Sequence, residues 1–336
     1  MALRYDFMSD NTAPAAPEAM AAVLAANQGF APSYGDDPVT AQAGDLIRGW
    51  LDTDAEVRFV ASGTAANAIC LAALCRPFES VLAHRHAHLT ADETGAPGFF
   101  GHGLGIVGLP GGSGRIDGAA LAEALGQPQH GHVQSPAALS LTNATEYGAV
   151  YATQALGALI APAKAKGLGV HIDGARLANA AAAGFDVKSI QALGVDLLVV
   201  GGTKAGMPPT EAIVILNPAL RPRFDARLKQ SGQFPSKSRF FAAPFVGMLQ
   251  DGAMLRHAAH ANAMAARLAE AMPFPLKHAV ESNGVFVEMD EPARLRLHDA
   301  GWASIRFLDG SVRFMCSWAT TVEAVDALGE TLRSIR

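Results

Sequence analysis

An apolar run that ends in two glycines and a single lysine constrains this chain more than any other stretch. The segment Val195–Met207 reads VDLLVVGGTKAGM, and its first half is long enough for one buried strand. A near-continuous apolar strand is typical of a parallel sheet whose two faces are both covered by helices. Ligands of such sheets gather at the carboxyl ends of the strands, and Lys204 lies just beyond one. Lys204 is therefore either an amine activated to attack a carbonyl group or a surface lysine in a glycine turn.

Length and composition indicate a large core and two lobes. The chain has 336 residues, of which 50% are hydrophobic and 17% are charged. Its net charge of −5 gives no indication of a nucleic-acid partner or an anionic membrane surface. No stretch has the apolar length of a membrane span or the apolar core of a secretory signal. We therefore expect a cytoplasmic protein.

The cysteines and clustered histidines do not indicate a metal site. The three cysteines are Cys70, Cys75 and Cys316, and none forms a Cys-x-x-Cys pair. We expect them to be reduced residues of the core. The stretch HRHAH at 84–88 has no second group of ligands at a recognisable spacing, so we expect no metal. No role follows for His84 and His86, which we expect to be structural.

Strand and helix patterns alternate up to about residue 217 and predict a parallel α/β sheet. The strands are predicted in segments that begin near residues 57, 80, 104, 137, 168, 195 and 211. The last third contains three further strand patterns, GVFVEM, IRFL and VRFMCSW, and a final helix from Val322. It predicts a smaller α+β domain. We expect a large domain at 1–245 and a small C-terminal domain at 246–336.

Polar residues follow four of the predicted strands. In chain order they are Gly63 with Thr64, His88, Asp173 with Arg176, and Lys204. Each has an ordinary structural explanation, such as a helix N-cap, when taken alone. Together they match the needs of pyridoxal phosphate (PLP). A lysine forms the imine, a carboxylate keeps the pyridine nitrogen protonated, a helix N-terminus holds the phosphate, and an imidazole covers the ring.

Motifs spread over nearly the whole chain resemble those of the low-specificity L-threonine aldolases. They are FMSDN at 7–11, YGDDP at 34–38, SGTAAN at 62–67, AHLTADETGAP at 87–97, HIDGAR at 171–176, GGTKAGM at 201–207, APFVGMLQDGAMLRHAAHAN at 243–262 and VRFMCSW at 312–318. The branch that the chain resembles also takes phenylserine-like substrates. The resemblance implies a fold-type-I, aspartate-aminotransferase-like large domain with a mostly parallel sheet.

The resemblance also implies which residues hold the cofactor. Lys204 would bind PLP covalently, and Asp173 would pair with the pyridine nitrogen. Arg176 would approach the phenolic oxygen of PLP. Gly63 and Thr64 would hold its phosphate.

Five further residues receive roles from the same resemblance. His88 would stack on the cofactor ring and face the substrate, whose carboxylate Ser9 and Arg313 would bind. Tyr34 would reach the phosphate of a neighbouring subunit, because sites in this family lie at a dimer interface and the usual assembly is a homotetramer. Lys229 falls where many relatives have an arginine near the phosphate.

One departure concerns the group that takes the proton of the substrate hydroxyl. Many relatives have a histidine in the turn after the strand at 137–143, whereas this chain has Glu146 there. His88 is one candidate base, because an unperturbed imidazole titrates near neutrality. Glu146, or a water that it positions, is the other.

The implied reaction is PLP-dependent cleavage of L-threonine, L-allo-threonine and related L-β-hydroxy-α-amino acids, L-phenylserine among them, to glycine and an aldehyde. A β-eliminating lyase or an aminotransferase would share the lysine, the aspartate and the turn at Gly63 and Thr64 that would hold the phosphate, here called the phosphate turn. A non-catalytic, cofactor-binding regulatory protein is a third hypothesis, but no DNA-binding domain or basic stripe supports it.

Overall fold

A computed structural model describes residues 3–128, 131–222 and 224–336 of the chain. The strands are β1 Glu56–Val60, β2 Glu79–His84, β3 Gly105–Leu109, β4 Ser135–Thr142, β5 Gly169–Gly174, β6 Leu197–Gly201, β7 Glu211–Ile215, β8 Gly284–Val287, β9 Ile305–Arg306 and β10 Val312–Met315. The helices are α1 Pro17–Ala26, α2 Pro38–Leu51, α3 Gly63–Leu74, α4 His88–Ala91, α5 Ala96–Phe100, α6 Gly118–Gly126, α7 Thr153–Ala165, α8 Leu177–Ala182, α9 Ser189–Ala192, α10 Phe224–Gln230, α11 Arg239–Gln250, α12 Ala253–Ala271, α13 Glu291–Asp299 and α14 Val322–Ile335.

Within the part of the chain that the structure describes, the large sheet has seven strands in the order β1-β7-β6-β5-β4-β2-β3. Helices cover both of its faces, as the apolar pattern of β6 predicts. Leu197 and Val199 pack with residues of α3 and α10 on one side. Leu198 and Val200 point into the main core on the other side. This alternation within one fully buried strand explains why the segment reads as continuously apolar.

One strand of the large sheet runs against the others, so the expectation of parallel connections up to residue 217 is wrong for β7. This strand pairs antiparallel with β6 on one side and with β1 on the other. Only residues 202–210 join β6 to β7, and a parallel crossover needs about a dozen residues or more. The short connection therefore forces a hairpin-like return, and Lys204 lies within it.

The second sheet, in the order β8-β10-β9, is small and antiparallel and lies in the C-terminal part of the chain. The N-terminal segment packs on it, because the Met315 N–H donates to the Phe7 carbonyl at 2.8 Å. Phe7 is also part of the apolar core of this region. The boundary between residues 245 and 246 falls inside α11, and the division into two domains stays a prediction.

Local differences from the sequence expectation occur next to the site. The segment after β2, expected to be a loop, contains the short helices α4 and α5. Helices of four and five residues are too short to produce a detectable period in the sequence. The IRFL strand pattern is shorter in the structure, where β9 contains only Ile305–Arg306.

The three cysteines are buried and unpaired, as predicted. Among the helices of the described residues, none combines the length and apolar character that crossing a membrane requires.

Candidate active site

A cavity of about 280 Å³, here called the lysine cavity, lies between the carboxyl ends of the large sheet and the small sheet. Its walls contain six residues predicted from the sequence, namely Ser9, His88, Glu146, Arg176, Lys204 and Arg313. The remaining lining residues are Asn11, His86, Ala91, Asp92, Ile305, Arg306, Phe307 and Leu308. Because β2, β4, β5 and β6 are parallel, their carboxyl ends bring His88, Glu146, Arg176 and Lys204 to one edge.

Lys204 lies on a short 3₁₀ turn, Thr203–Ala205, directly after β6. Its side chain makes no hydrogen bond or ion pair with the residues that the structure describes. The turn itself is held firmly, because the Gly202 N–H donates to Glu211 Oε2 at 2.7 Å and the Thr203 N–H donates to the Thr210 carbonyl at 3.1 Å. The amine is thus unpaired on a well-anchored backbone.

Asp173, near the carboxyl end of β5, is buried. Its Oδ2 accepts from Asn67 Nδ2 at 2.9 Å, and its Oδ1 accepts from the Ala175 N–H at 2.9 Å. Burial alone would raise the pKa of this carboxyl, but the positive charge of Lys204 and these hydrogen bonds hold it below its usual value. Asp173 is therefore an anion at neutral pH, within electrostatic reach of Lys204.

His88 lies between two carboxylates. Its Nδ1 is 2.8 Å from Oε1 of the buried Glu93, and its Nε2 is 3.6 Å from Asp92 Oδ2. The hydrogen bond to Glu93 raises the pKa of His88 against the opposing effect of burial. Glu93 also accepts from Asn67 Nδ2 at 2.8 Å, so a hydrogen-bonded chain links His88 through Glu93 and Asn67 to Asp173.

Glu146 lies in the turn after β4. Its Oε1 accepts from the His88 backbone N–H at 2.9 Å and from Thr142 Oγ1 at 3.0 Å. Its Oε2 is buried with no partner among the described residues, and burial raises the pKa of the carboxyl. Glu146 therefore fixes the start of α4 and keeps one oxygen unused.

Arg176 is held by a carboxylate that sequence reasoning missed. Its Nε and Nη2 donate to Asp10 at 2.6 and 2.9 Å in a buried, two-pronged ion pair. Burial opposes the charge of Arg176, but Asp10 raises its pKa above the usual value. The adjacent Ser9 caps the 3₁₀ turn Asp10–Thr12 by accepting from the Asn11 N–H. The ion pair thus anchors Ser9 at the cavity wall.

Arg313, on β10, enters the lysine cavity from the small sheet. Its Nη2 donates to the Met8 carbonyl at 3.2 Å, and its guanidinium lies 5.2 Å from the centre of the Phe307 ring. Its Nε is buried and has no partner among the described residues. Burial and the like charge of Arg176 lower the pKa of Arg313 to about 10, so it stays charged at neutral pH.

The predicted phosphate turn opens α3 after β1. Ser62 is its N-cap and accepts from the Ala65 N–H at 3.3 Å. Gly63 and Thr64 occupy the first turn, where helix geometry leaves the backbone N–H groups without partners in the helix. A Cβ placed on Gly63 would meet no atom within 4 Å, so the space beside this turn is open.

Two predicted residues lie elsewhere in the chain. Tyr34 and Lys229 line a separate cavity of about 820 Å³, here called the tyrosine cleft, which is also lined by residues of α2, β1 and α10. Lys229 Nζ lies 4.4 Å from the centre of the Tyr34 ring. Within one chain the structure does not bring this pair into the lysine cavity.

Three buried polar residues near the lysine cavity received no role from the sequence: Asp10, Asn67 and Glu93. Each lies inside a motif that carries the resemblance. Asp10 directly follows Ser9, Asn67 lies three residues after Thr64, and Glu93 lies five residues after His88. The signal that could have found Asn67 is its position one helical turn after Gly63, on the side of α3 that meets β5.

Comparison with known proteins places the chain in a family. A model of the beta-eliminating lyase family matches residues 6–292. A low specificity L-threonine aldolase from Pseudomonas sp. (strain NCIMB 10558) is 43% identical over 336 residues, which cover 98% of this chain and 97% of that protein. This chain belongs to the low specificity L-threonine aldolase family.

Solved structures agree with the family assignment. The threonine aldolase of Leishmania major superimposes with a TM-score of 0.93 at 29% identity, covering 99% of this chain and 100% of that chain. A serine palmitoyltransferase from S. paucimobilis, solved with a bound PLP–myriocin aldimine, gives a TM-score of 0.70 at 18% identity, covering 100% of this chain and 87% of that chain. The second likeness concerns the fold alone. The predicted fold-type-I architecture is confirmed.

Proposed function

We propose that this protein is a PLP-dependent aldehyde-lyase that cleaves L-threonine, L-allo-threonine and related L-β-hydroxy-α-amino acids, such as L-phenylserine, to glycine and an aldehyde. The family supports the reaction class. The observation that carries the proposal is that Lys204, whose amine has no partner among the described residues, lines one cavity with the cation Arg313. The amine can bind the aldehyde group of a cofactor, and the cation can bind the carboxylate of a substrate.

The residues present fit PLP. Lys204 supplies the amine that would hold its aldehyde carbon, and the anionic Asp173 would pair with the pyridinium nitrogen. The open first turn of α3, at Gly63 and Thr64, offers backbone N–H groups to the phosphate. Arg176 would approach the phenolic oxygen. When bound, PLP supplies an electron sink for the pair released from the broken Cα–Cβ bond.

The chain's own residues would orient the substrate. Arg313 would bind the α-carboxylate through its guanidinium, because a guanidinium is a strong partner for a carboxylate. Ser9 offers a hydroxyl at the same wall. Fixing the carboxylate also fixes rotation about the bonds to Cα, and holding the reacting bond in one orientation can contribute several kcal/mol to catalysis.

His88 also lines the lysine cavity, and Glu93 holds its ring. As a base for the β-hydroxyl it stays a prediction from the sequence, as does Glu146, whose Oε2 is unused. The freed Lys204 amine would supply the α-proton that completes glycine, because an amine can carry a proton and deliver it to carbon.

We also propose that the protein acts in the cytoplasm as a homotetramer with shared sites. Tyr34 is 42% exposed, and it lies in the tyrosine cleft with Lys229 rather than beside Lys204. A second copy would give both residues a role, because Tyr34 could then reach the phosphate bound in the neighbouring chain. The three buried, free thiols suit a reducing compartment.

The test is product analysis with L-threonine, L-allo-threonine and L-phenylserine. We expect glycine and an aldehyde in equal amounts, and no activity in Lys204→Ala. Lys166→Ala, which changes an exposed lysine at the end of α7, is the matched control and should keep wild-type rates. Release of an α-keto acid with ammonia, and no aldehyde, would instead support the β-eliminating alternative.

A further inference from the structure

His86 was expected to be structural, but it lines the lysine cavity together with Lys204, Glu146 and Arg313. It is half-buried and lies two residues before His88, in the loop between β2 and α4. Nothing in the proposed cofactor or carboxylate sites uses it. An imidazole on the wall of a substrate cavity is a candidate for proton transfer.

One ring nitrogen of His86 is fixed by a buried phenol. Its Nδ1 lies 2.7 Å from Tyr147 Oη, and Tyr147 is only 2% exposed. The Tyr147 ring packs 4.5 Å from His278 and 5.0 Å from Phe307, measured between ring centres. Because Tyr147 cannot move easily, the orientation of the His86 ring is set. Nε2 is the nitrogen left to contact a ligand, since it has no hydrogen bond to any residue that the structure describes.

The groups around His86 favour a neutral ring. Burial and the positive charge of Arg85 lower its pKa, while Asp309 acts weakly in the other direction. His84 meets it edge-on, with 5.5 Å between ring centres, and the pKa of His84 is also lowered. Burial raises the pKa of Tyr147, which therefore keeps its proton. A neutral imidazole with a free nitrogen can accept a proton at neutral pH.

The two bases expected from the sequence are less free than His86. Both ring nitrogens of His88 face carboxylates, Glu93 at 2.8 Å and Asp92 at 3.6 Å, and this setting favours the charged imidazolium. Glu146 already uses Oε1 to hold the start of α4. His86 therefore differs from both His88 and Glu146, because it has an uncharged ring and a ring nitrogen with no partner among the described residues.

We propose that His86, held by Tyr147, binds the β-oxygen of the substrate and takes its proton during cleavage. This inference rests on the proposed aldolase function. The hydroxyl proton moves to Nε2, and the O–H electron pair becomes the second carbon–oxygen bond of the aldehyde. The Cα–Cβ bond breaks and leaves its electron pair on the glycine fragment, which takes a proton at Cα. This role requires the tautomer in which Nδ1 carries the ring proton and donates it in the hydrogen bond to Tyr147 Oη, which leaves Nε2 as the acceptor. The Nε2 proton passes to solvent when the aldehyde leaves.

The test separates chemistry at the β-oxygen from chemistry at Cα. Exchange of the glycine α-proton in D₂O needs the Lys204, Asp173 and Arg313 machinery but involves no β-oxygen. In the PLP-loaded enzyme, His86→Asn should slow L-threonine cleavage about 10²-fold and leave glycine exchange within about threefold of wild type. His298→Asn, the same change at an exposed histidine of α13, should alter neither rate.

A second variant guards against a folding artefact. His86→Phe combined with Tyr147→Phe removes both hydrogen-bonding groups together, so no buried phenol is left unpaired. It should show the same selective loss of cleavage. The inference would be overturned if His86→Asn lost cleavage and glycine exchange equally, or if it cleaved L-threonine normally. In either case, cleavage by the wild type would still support the proposed function. Absence of aldehyde release from the wild type would overturn both.

Discussion

The lysine cavity and the tyrosine cleft differ in size and in the origin of their walls. The cleft is the larger, at about 820 Å³ against about 280 Å³. The lysine cavity, however, is formed at the carboxyl ends of parallel strands and contains the Lys204 amine and the imidazoles of His86 and His88. The cleft is formed mainly by α2, β1 and α10 and has no histidine among its lining residues. The position of strand ends is therefore a better guide to chemistry here than cavity volume.

The two regions also differ in how completely one chain builds them. Hydrogen bonds within the chain fix Asp173, His88, Glu146 and Arg176 around the lysine cavity. Tyr34 instead stacks near Phe234, with 5.6 Å between ring centres, and approaches Lys229. We expect the lysine cavity to be sensitive to single substitutions within the chain, and the cleft to matter through assembly.

After the complete loss of activity expected for Lys204→Ala, the largest effect should come from Asp173→Asn. The change is nearly isosteric, but it removes the anion that would pair with the pyridinium nitrogen, and we expect cleavage to slow by at least about 10²-fold. Steady-state rates and the absorption spectrum of bound PLP measure it. Asp186→Asn, at a surface aspartate that caps a turn before α9, is the control. Wild-type rates in Asp173→Asn would show that the lysine cavity is not the site of cleavage.

Glu211 should give a pH-dependent effect on stability. Burial raises its pKa from 4.5 to about 7, so the folded state prefers the protonated carboxyl, and stability is lost as the pH rises from about 4.5 through 7. Glu211→Gln keeps an oxygen for the Gly202 N–H and removes the charge.

The stability of Glu211→Gln relative to wild type should therefore increase as the pH rises from 5 to 8, by about 3 kcal/mol at most. Tm measured at both pH values gives the difference. A difference between variant and wild type that stays constant over this range would contradict the buried, proton-binding state of Glu211.

The smallest effect should come from the tyrosine cleft. Tyr34→Phe keeps the ring contacts with Phe234 and Lys229 but removes the hydroxyl that would reach a neighbouring phosphate. We expect roughly tenfold weaker PLP binding, the size of one hydrogen bond to a charged group, with little change in kcat at saturating PLP.

PLP titration of the apoenzyme measures this affinity, and Tyr5→Phe, at a 50% exposed tyrosine, is the control. An unchanged affinity in Tyr34→Phe, together with a monomeric mass in solution, would show that the cleft does not share a site with a second copy.

The sequence predicts the lysine cavity well, since strand ends in a parallel sheet converge whatever the details of packing. This rule was enough to group Lys204, Asp173 and His88. It could not find Asp10 as the partner of Arg176, because that ion pair joins residues far apart in the chain, 166 positions from one another. His86 was also missed, since only the packing of Tyr147 shows which way its ring faces. The reversed direction of β7 follows from connection length and was available from the sequence.

Borohydride reduction of the PLP-loaded protein, followed by peptide mapping, tests the central claim most directly. Reduction makes the bond between PLP and its lysine permanent. If Lys204 is the amine that holds the cofactor, the label will be found on the peptide that contains Lys204, and Lys204→Ala will not be labelled. Labelling of any other lysine, Lys229 included, would contradict the account.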